Sequence, residues 1–264
     1  MSAPARGIPF TKASACGNDF LIVDAANAPM NFAALSRRMC DRHNGVGADG
    51  VEWLSPDSEA DVSARLFNAD GSEAEISGNG TRCVAADLCA RTGKEQVIIR
   101  TGAGLKICRL TSRRGATFEF EAEMGQPMVG EQLSIETTSV QAQGSNVSMG
   151  NPHFVIFVDH FPEGWQRQAS LIGAQPLFPH GTNVEYVVVR GPNEIEIRLF
   201  ERGVGETESS GTGSCASAVA AIASRRVSSP VTVIAPGGPQ TVRWEKQVYL
   251  KGPATLICRG EFIV

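Results

Sequence analysis

Glu73-Ala74-Glu75-Ile76-Ser77-Gly78-Asn79-Gly80 and Glu206-Thr207-Glu208-Ser209-Ser210-Gly211-Thr212-Gly213 are two copies of one motif, separated by 210 − 77 = 133 positions. The same offset takes Arg65-Leu66-Phe67 onto Arg198-Leu199-Phe200, Val51-Glu52-Trp53 onto Val184-Glu185-Tyr186, and Gly17-Asn18 onto Gly150-Asn151. Anchors that share one ungapped register signify a duplicated domain. The 264 residues therefore divide into two domains of ordinary size, 1–126 and 127–264, with the boundary in Gly125-Gln126-Pro127 to Gly130. The last strand, near 255–264, is open to returning to the first domain. A loop present in both copies can meet itself across their interface, so the expected active site is a cleft between the halves.

Each copy carries the same plan. In the first, a turn at Cys16-Gly17-Asn18-Asp19 leads into a strand ending at Asp24, and Phe32 to Arg42 has helical spacing. A glycine-rich loop, Gly45 to Gly50, enters a strand at Val51 to Leu54. Val62 to Asn68 alternates as a strand, and Thr81 to Arg91 reads as a helix that Gly93 can cap. Strands follow at Gln96 to Thr101, Gly104 to Leu110 and Ala116 to Ala122. The second copy repeats this with strands at Phe154 to Val158, Val184 to Val189 and Ile195 to Phe200, then a helix from Ser214 to about Arg225. Strands continue from Val231, with a turn at Pro236-Gly237-Gly238. The Ala and Ser content of the second helix lets other backbone approach it closely, which places it inside a curved sheet. The predicted fold class is α+β: two pseudo-symmetric domains, each a mostly antiparallel, barrel-like sheet around a central helix.

A hydrophobic content of 42% against 20% charged is that of a soluble globular protein. The net charge of −4 comes without a basic run, which argues against nucleic acid and anionic membranes as partners and for a small molecule. The first residues lack a basic stretch followed by an apolar one, and nothing approaches the ~20 apolar residues that span a bilayer. Seven cysteines without paired spacings fit a reducing compartment, so the expected location is cytoplasmic. His43, His153, His160 and His180 show no metal-ligand spacing, and no metal is expected. The loop at Gly45 to Gly50 leads to a strand, unlike a dinucleotide fingerprint. No lysine occupies a loop suited to a pyridoxal phosphate Schiff base, so the chain reads as cofactor-free.

The duplicated motif is itself an anion site. Ser-Gly-x-Gly at a helix start places the serine near the N-cap and leaves backbone N–H groups for a ligand. Two such termini can hold an α-carboxylate and stabilise the charge left when the adjacent carbon loses its proton. Asn18, Asn68, Asn79, Asn151 and Asn183 lie in or beside glycine-rich turns, where Asn is common for local reasons. Asn18 matches Asn151 across the repeat, and Asn68 matches Glu201. Amides both donate and accept, so such a set suits a zwitterionic ligand, and Arg202 adds a bidentate group for a second carboxylate.

These residues resemble diaminopimelate epimerase over nearly the whole chain. The resemblance rests on Gly17-Asn18-Asp19-Phe20, Phe67-Asn68-Ala69-Asp70-Gly71-Ser72-Glu73, Gly78-Asn79-Gly80, Gly150-Asn151-Pro152-His153, Thr182-Asn183-Val184, Glu201-Arg202-Gly203, Gly205-Glu206-Thr207, Gly211-Thr212-Gly213 and Pro236-Gly237-Gly238. It implies a cofactor-independent enzyme of lysine and peptidoglycan biosynthesis that interconverts LL- and meso-diaminopimelate, one cysteine deprotonating the α-carbon and a second reprotonating its other face. By this resemblance Ser77 and Ser210 occupy the two proton-transfer positions, and His153 and Glu201 lie beside them. Asn18, Asn68, Gly78, Asn79, Asn151, Asn183, Glu201, Arg202, Gly211 and Thr212 bind the substrate. A homodimer is implied as well.

The departure falls on the chemistry, for both cysteine positions of the family are serine here. A thiol is partly ionised near neutrality, whereas an alcohol stays protonated unless a base activates it. Cys83 and Cys215 do not compensate: Cys83 lies six residues after Ser77, about 600° of helical rotation on and hence about 240° away from it. They read as packing residues. The alternatives are introduced serines, a natural serine variant of residual activity, and a homologue that binds an amino acid without catalysis. Another amino-acid racemase or a dehydratase of the proline-racemase type is a further alternative, against which Asn68, Asn151, Asn183 and Arg202 argue.

Overall fold

The computed structural model describes residues 7–28, 31–136 and 140–264. The chain forms two compact units, one of residues 1–122 with 252–264 and one of 123–251. The second thus begins a few residues before the division at 126/127, and the C-terminal segment belongs with the first.

In the first unit β1 (Gly7–Ala15), β2 (Asn18–Asp24), α1 (Phe32–Cys40), β3 (Gly50–Ser55), β4 (Val62–Asn68), the short β5 (Glu73–Ala74), α2 (Gly78–Thr92), β6 (Gln96–Thr101), β7 (Gly104–Arg114) and β8 (Thr117–Gly125) follow in order. The second contains β9 (Met128–Glu136), β10 (Gln141–Ser148), β11 (Pro152–Phe157), α3 (Trp165–Gly173), β12 (Asn183–Gly191), β13 (Glu194–Glu201), β14 (Gly205–Thr207), α4 (Gly211–Ala223), β15 (Val231–Ala235) and β16 (Gly238–Trp244). The last strand, β17 (Val248–Ile263), pairs with β16 through Val248 to Lys251 and with β1 through Thr255 to Ile263.

The duplication extends to strand pairing. β2–β3 and β11–β12 are parallel, β3–β4 and β12–β13 antiparallel, and β4–β6 and β13–β15 parallel. Even the register repeats, with Val51 opposite Phe67 and Val184 opposite Phe200. In the first unit β17, β1, β2, β3, β4, β6, β7 and β8 form a ring that β8–β17 pairing closes. The second unit runs β9-β10-β11-β12-β13-β15-β16-β17.

Each sheet curls around one helix. α2 buries Cys83, Val84, Ala85 and Ala86 against Phe20, Leu66, Ile99 and Phe120. α4 buries Cys215, Ala216, Ala218 and Val219 against Val187, Ile197, Val233 and Leu250. Small side chains on these helices let the surrounding strands approach, as the Ala-rich sequence requires. The other sheet face is covered by α1 in one unit and α3 in the other, with Trp53, Met39 and Phe67 in one core and Trp165, Phe154 and Tyr186 in its counterpart. No helix among the described residues is long and apolar enough to cross a membrane.

Candidate active site

The duplicated motif forms the start of each central helix. Ser77 is the N-cap of α2, with extended backbone (φ −121°, ψ 124°), and its Oγ accepts a hydrogen bond from the Gly80 amide at 3.0 Å. Ser210 repeats this at α4 (φ −142°, ψ 126°), accepting from Gly213 at 3.3 Å. Neither helix has an acidic residue in its first turn, so no side chain of the turn offsets the positive end of the dipole. Gly78 and Gly211 are the first helical residues.

The groups around the two serines differ. Beside Ser77 stands a ladder of amides. Asn79 Nδ2 donates to Asn18 Oδ1 at 2.7 Å, Asn18 Nδ2 donates to Asp49 at 3.1 Å, and the buried Arg82 donates to Asn79 Oδ1. A guanidinium can only donate, so Arg82 fixes which end of the Asn79 amide faces Asn18. Asp49 is held by Arg42 at 2.8 Å, and Arg42 and Lys12 both reach Asp19, at 2.8 and 3.0 Å. Burial opposes charge on Asp19, but these two cations hold its carboxyl below the usual range. Asn68 donates to Ser72 Oγ within its own turn, at 3.0 Å.

Beside Ser210 stand acid–base groups. Asn151 Nδ2 donates to Thr212 Oγ1 at 3.3 Å, and Asn151 Oδ1 lies 3.0 Å from His153 Nε2. With the amide so oriented, Nε2 carries a proton. His153 Nδ1 lies 2.7 Å from Glu185 Oε1, and both side chains are shut off from solvent. Burial raises the Glu185 pKa, an effect that His153 reduces. Glu201, at the end of β13, is raised by burial too; the hydroxyls of Thr207, which donates at 2.9 Å, and of Ser210 favour its charged form. The Arg202 amide donates to Asn183 Oδ1 at 2.9 Å, and its guanidinium to the His180 carbonyl at 3.0 Å. Asn183 Nδ2 donates to the Pro152 carbonyl at 2.9 Å.

Two carboxyls of this arrangement have no role in the sequence reading, although both lie in its repeat anchors. Glu52 on β3 and Glu185 on β12 occupy equivalent positions and point at the first turns of α2 and α4. A methyl group placed on Gly80 would lie 2.2 Å from Glu52 Oε1, and one on Gly213 would lie 3.1 Å from Glu185 Oε1. Burial alone pushes the Glu52 pKa up to about 8. The signal that could have found them is a charged residue recurring at the repeat offset within otherwise apolar strands. Cys83 and Cys215 are completely buried, and burial drives the Cys83 thiol upward, the opposite of what a proton-abstracting thiol needs.

The family described as Diaminopimelate epimerase matches residues 10–129 and 145–257. The chain belongs to the diaminopimelate epimerase family. It is 41% identical to the diaminopimelate epimerase of Pelotomaculum thermopropionicum over 96% of this chain and 98% of that protein. Against the enzyme of Sphingopyxis alaskensis it is 38% identical, over 96% of each. Among solved structures, a phenazine biosynthesis protein of the PhzF family from Bacillus anthracis superposes with a TM-score of 0.74 at 15% identity, covering 98% of this chain and 99% of that one. A hydroxyproline epimerase from Agrobacterium vitis gives 0.72 at 17% identity, covering 98% and 93%. Those two likenesses concern the fold alone. Membership of the diaminopimelate epimerase family makes the chain an amino-acid epimerase by descent, an isomerase.

Proposed function

We propose that this chain acts on 2,6-diaminopimelate, with Ser77 and Ser210 in the two proton-transfer positions and turnover much reduced because both are hydroxyls. The observation that carries this reading is the matched pair of serine-capped helix starts, one per unit, in a family whose reaction needs one proton donor and one acceptor. A substrate α-carboxylate at a helix N-terminus gains from the free amides and the dipole. The same amides stabilise the carboxylate-delocalised charge that forms when the α-proton leaves. A serine hydroxyl is a poor acceptor for that proton unless a neighbouring base takes its own. Glu201 is so placed beside Ser210, whereas the ladder beside Ser77 consists of amides and ion pairs. The reaction draws on side chains and backbone alone in this reading.

Isothermal titration with meso- and LL-diaminopimelate, with proline and glutamate as controls, tests the substrate. Binding of diaminopimelate in preference to both controls is expected. No heat with diaminopimelate, or equal binding of proline, overturns the assignment.

A further inference from the structure

We propose that Glu52 is the acid–base partner of Ser77, a positioning and proton-storing residue beneath the α2 helix start that corresponds to the carboxyl groups gathered beside Ser210. The inference rests on the reading of Ser77 as a proton-transfer position.

The geometry comes from the space above Gly80. The point that a methyl group on Gly80 would occupy lies 2.2 Å from Glu52 Oε1 and 3.2 Å from Ser77 Cβ. The carboxyl and the serine therefore flank one spot the size of a methyl group, and Ser77 Oγ is a single bond from that Cβ. Glycine leaves this spot open, and a side chain there would displace the carboxyl end of Glu52. Glu52 is 3% exposed, and no cation among the described residues pairs with it. A buried carboxyl without such a partner is costly, and strand β3 otherwise carries apolar residues into the core at Val51, Trp53 and Leu54. Glu52 acts on the buried Cys83 thiol of α2, as do Arg82 on α2 and Cys16 and Asp19 on the β1–β2 hairpin, whereas burial alone acts on Glu52 itself.

Burial holds Glu52 protonated at neutral pH, which makes it a donor rather than an acceptor. When Ser77 gives its hydroxyl proton to the α-carbanion, a C–H bond forms with the carbanion electron pair and the Ser77 O–H bond breaks. The Glu52 O–H proton then passes to Ser77 Oγ, leaving a Glu52 carboxylate that solvent reprotonates. The reverse sequence runs in the opposite direction of epimerisation. Across the repeat, Glu185 has the equivalent place but is engaged by His153, while the first unit has Phe20 where the second has His153. Glu52, with no histidine beside it among the described residues, is the carboxyl left to serve Ser77.

The test uses the full chain carrying Ser77→Cys, with alkylation of the introduced thiol by iodoacetamide followed by mass spectrometry from pH 6 to pH 10. A carboxyl beside the thiol imposes a second inflection near pH 8, where its ionisation raises the thiol pKa. Adding Glu52→Gln should abolish that inflection and speed alkylation about threefold or more at pH 9, while Glu52→Asp should keep it. In Ser210→Cys, Glu52→Gln should leave the profile unchanged. Identical profiles at position 77 with and without Glu52→Gln, or equal changes at both positions, overturn the proposal. Should Glu52→Gln fail to fold, δ-13C-glutamate NMR of the unaltered chain replaces it. One glutamate resonance should titrate near pH 8 and shift on Ser77→Cys, and the lack of either result overturns the proposal. None of these measurements uses diaminopimelate, so the substrate assignment and the role of Glu52 stand or fall separately.

Discussion

His153 Nδ1 lies 2.7 Å from Glu185 Oε1 with both side chains buried, while Glu185 Oε2 is buried without a hydrogen-bond partner among the described residues. The pair therefore holds its charge or its shared proton in a place where only one of the carboxyl oxygens is satisfied. Among the described residues His153 is the side chain that hydrogen-bonds to Glu185, and its imidazole also holds Asn151. Replacing it with the residue the first unit uses at this place, His153→Phe, should destabilise the protein by about 1–3 kcal/mol, the cost of stranding a buried polar group. Urea unfolding measures it. A change within about 0.5 kcal/mol, the range of ordinary surface substitutions, would show that Glu185 finds another partner.

Glu52 gives the protein a signed pH dependence. Its folded pKa of about 8 lies above the ordinary glutamate value of 4.5, so between these values the folded chain binds more protons than the unfolded one. Its favourable contribution is complete below pH 4.5 and is lost as pH rises through 8, at up to about 1.4 kcal/mol per pH unit. The stability of the native chain relative to Glu52→Gln should therefore fall between pH 5 and pH 8 and level off above. Urea titrations of both proteins at pH 5, 6.5 and 8 measure the difference; a constant gap would show that Glu52 does not titrate in this window.

Arg202 holds Asn183 through its backbone amide and donates its guanidinium to the His180 carbonyl, and among the described residues no carboxylate pairs with that guanidinium. A fork held by backbone in this way is available to a ligand carboxylate. Arg202→Lys keeps the charge but loses the planar fork, so diaminopimelate affinity should fall by about 1–3 kcal/mol, the range for hydrogen bonds to charged groups. Calorimetric affinity unchanged by the substitution would make Arg202 a structural residue of the β13–β14 loop.

The unaltered chain should exchange the substrate α-proton with solvent deuterium very slowly. Ser77→Cys together with Ser210→Cys should restore epimerisation, while either change alone should restore little, since inversion needs an acceptor on one face and a donor on the other. General acid–base groups commonly contribute about 10²–10⁴-fold each, so a gain of several orders of magnitude is expected from the pair. Comparable turnover by the Ser/Ser and Cys/Cys forms would move the base to His153 or Glu201.

Much of the fold is legible because the repeat carries its own register: Val62 to Asn68 and Gln96 to Thr101 form strands over the predicted residues. The central helices begin earlier than their apolar spacing suggests, at Gly78 and Gly211 rather than Thr81 and Ser214. Glycine is a poor helix former, and there the serine cap and the surrounding sheet outweigh propensity. Elements that escaped reading lack the usual signal. Strands β9 and β10 are largely exposed along one face, so apolar alternation is weak in Met128 to Glu136 and Gln141 to Ser148. In β1 the apolar sequence pattern is broken by Pro9 and Lys12. Helix α3 starts after Gly164 in a left-handed conformation with no side-chain cap, which leaves nothing for an N-cap rule to find. At the candidate site the serines, amides and Arg202 stand out in sequence because glycines surround them. Glu52 and Glu185 do not, because whether a carboxyl in a strand faces solvent or a helix start depends on packing.

Strand β17 has a consequence for biosynthesis. Its first residues complete pairing with β16, and its last complete the ring of β1 and β8. A ribosome delivers domains from the N-terminus onward, and the earlier one commonly folds first. Here the earlier one waits for residues 252–264, which follow the whole of the later one, whereas the later one has all its strands once Lys251 has emerged. Premature termination before Thr255 is expected to spare the second unit and leave the first with an open edge, the kind of exposed backbone that recruits other chains.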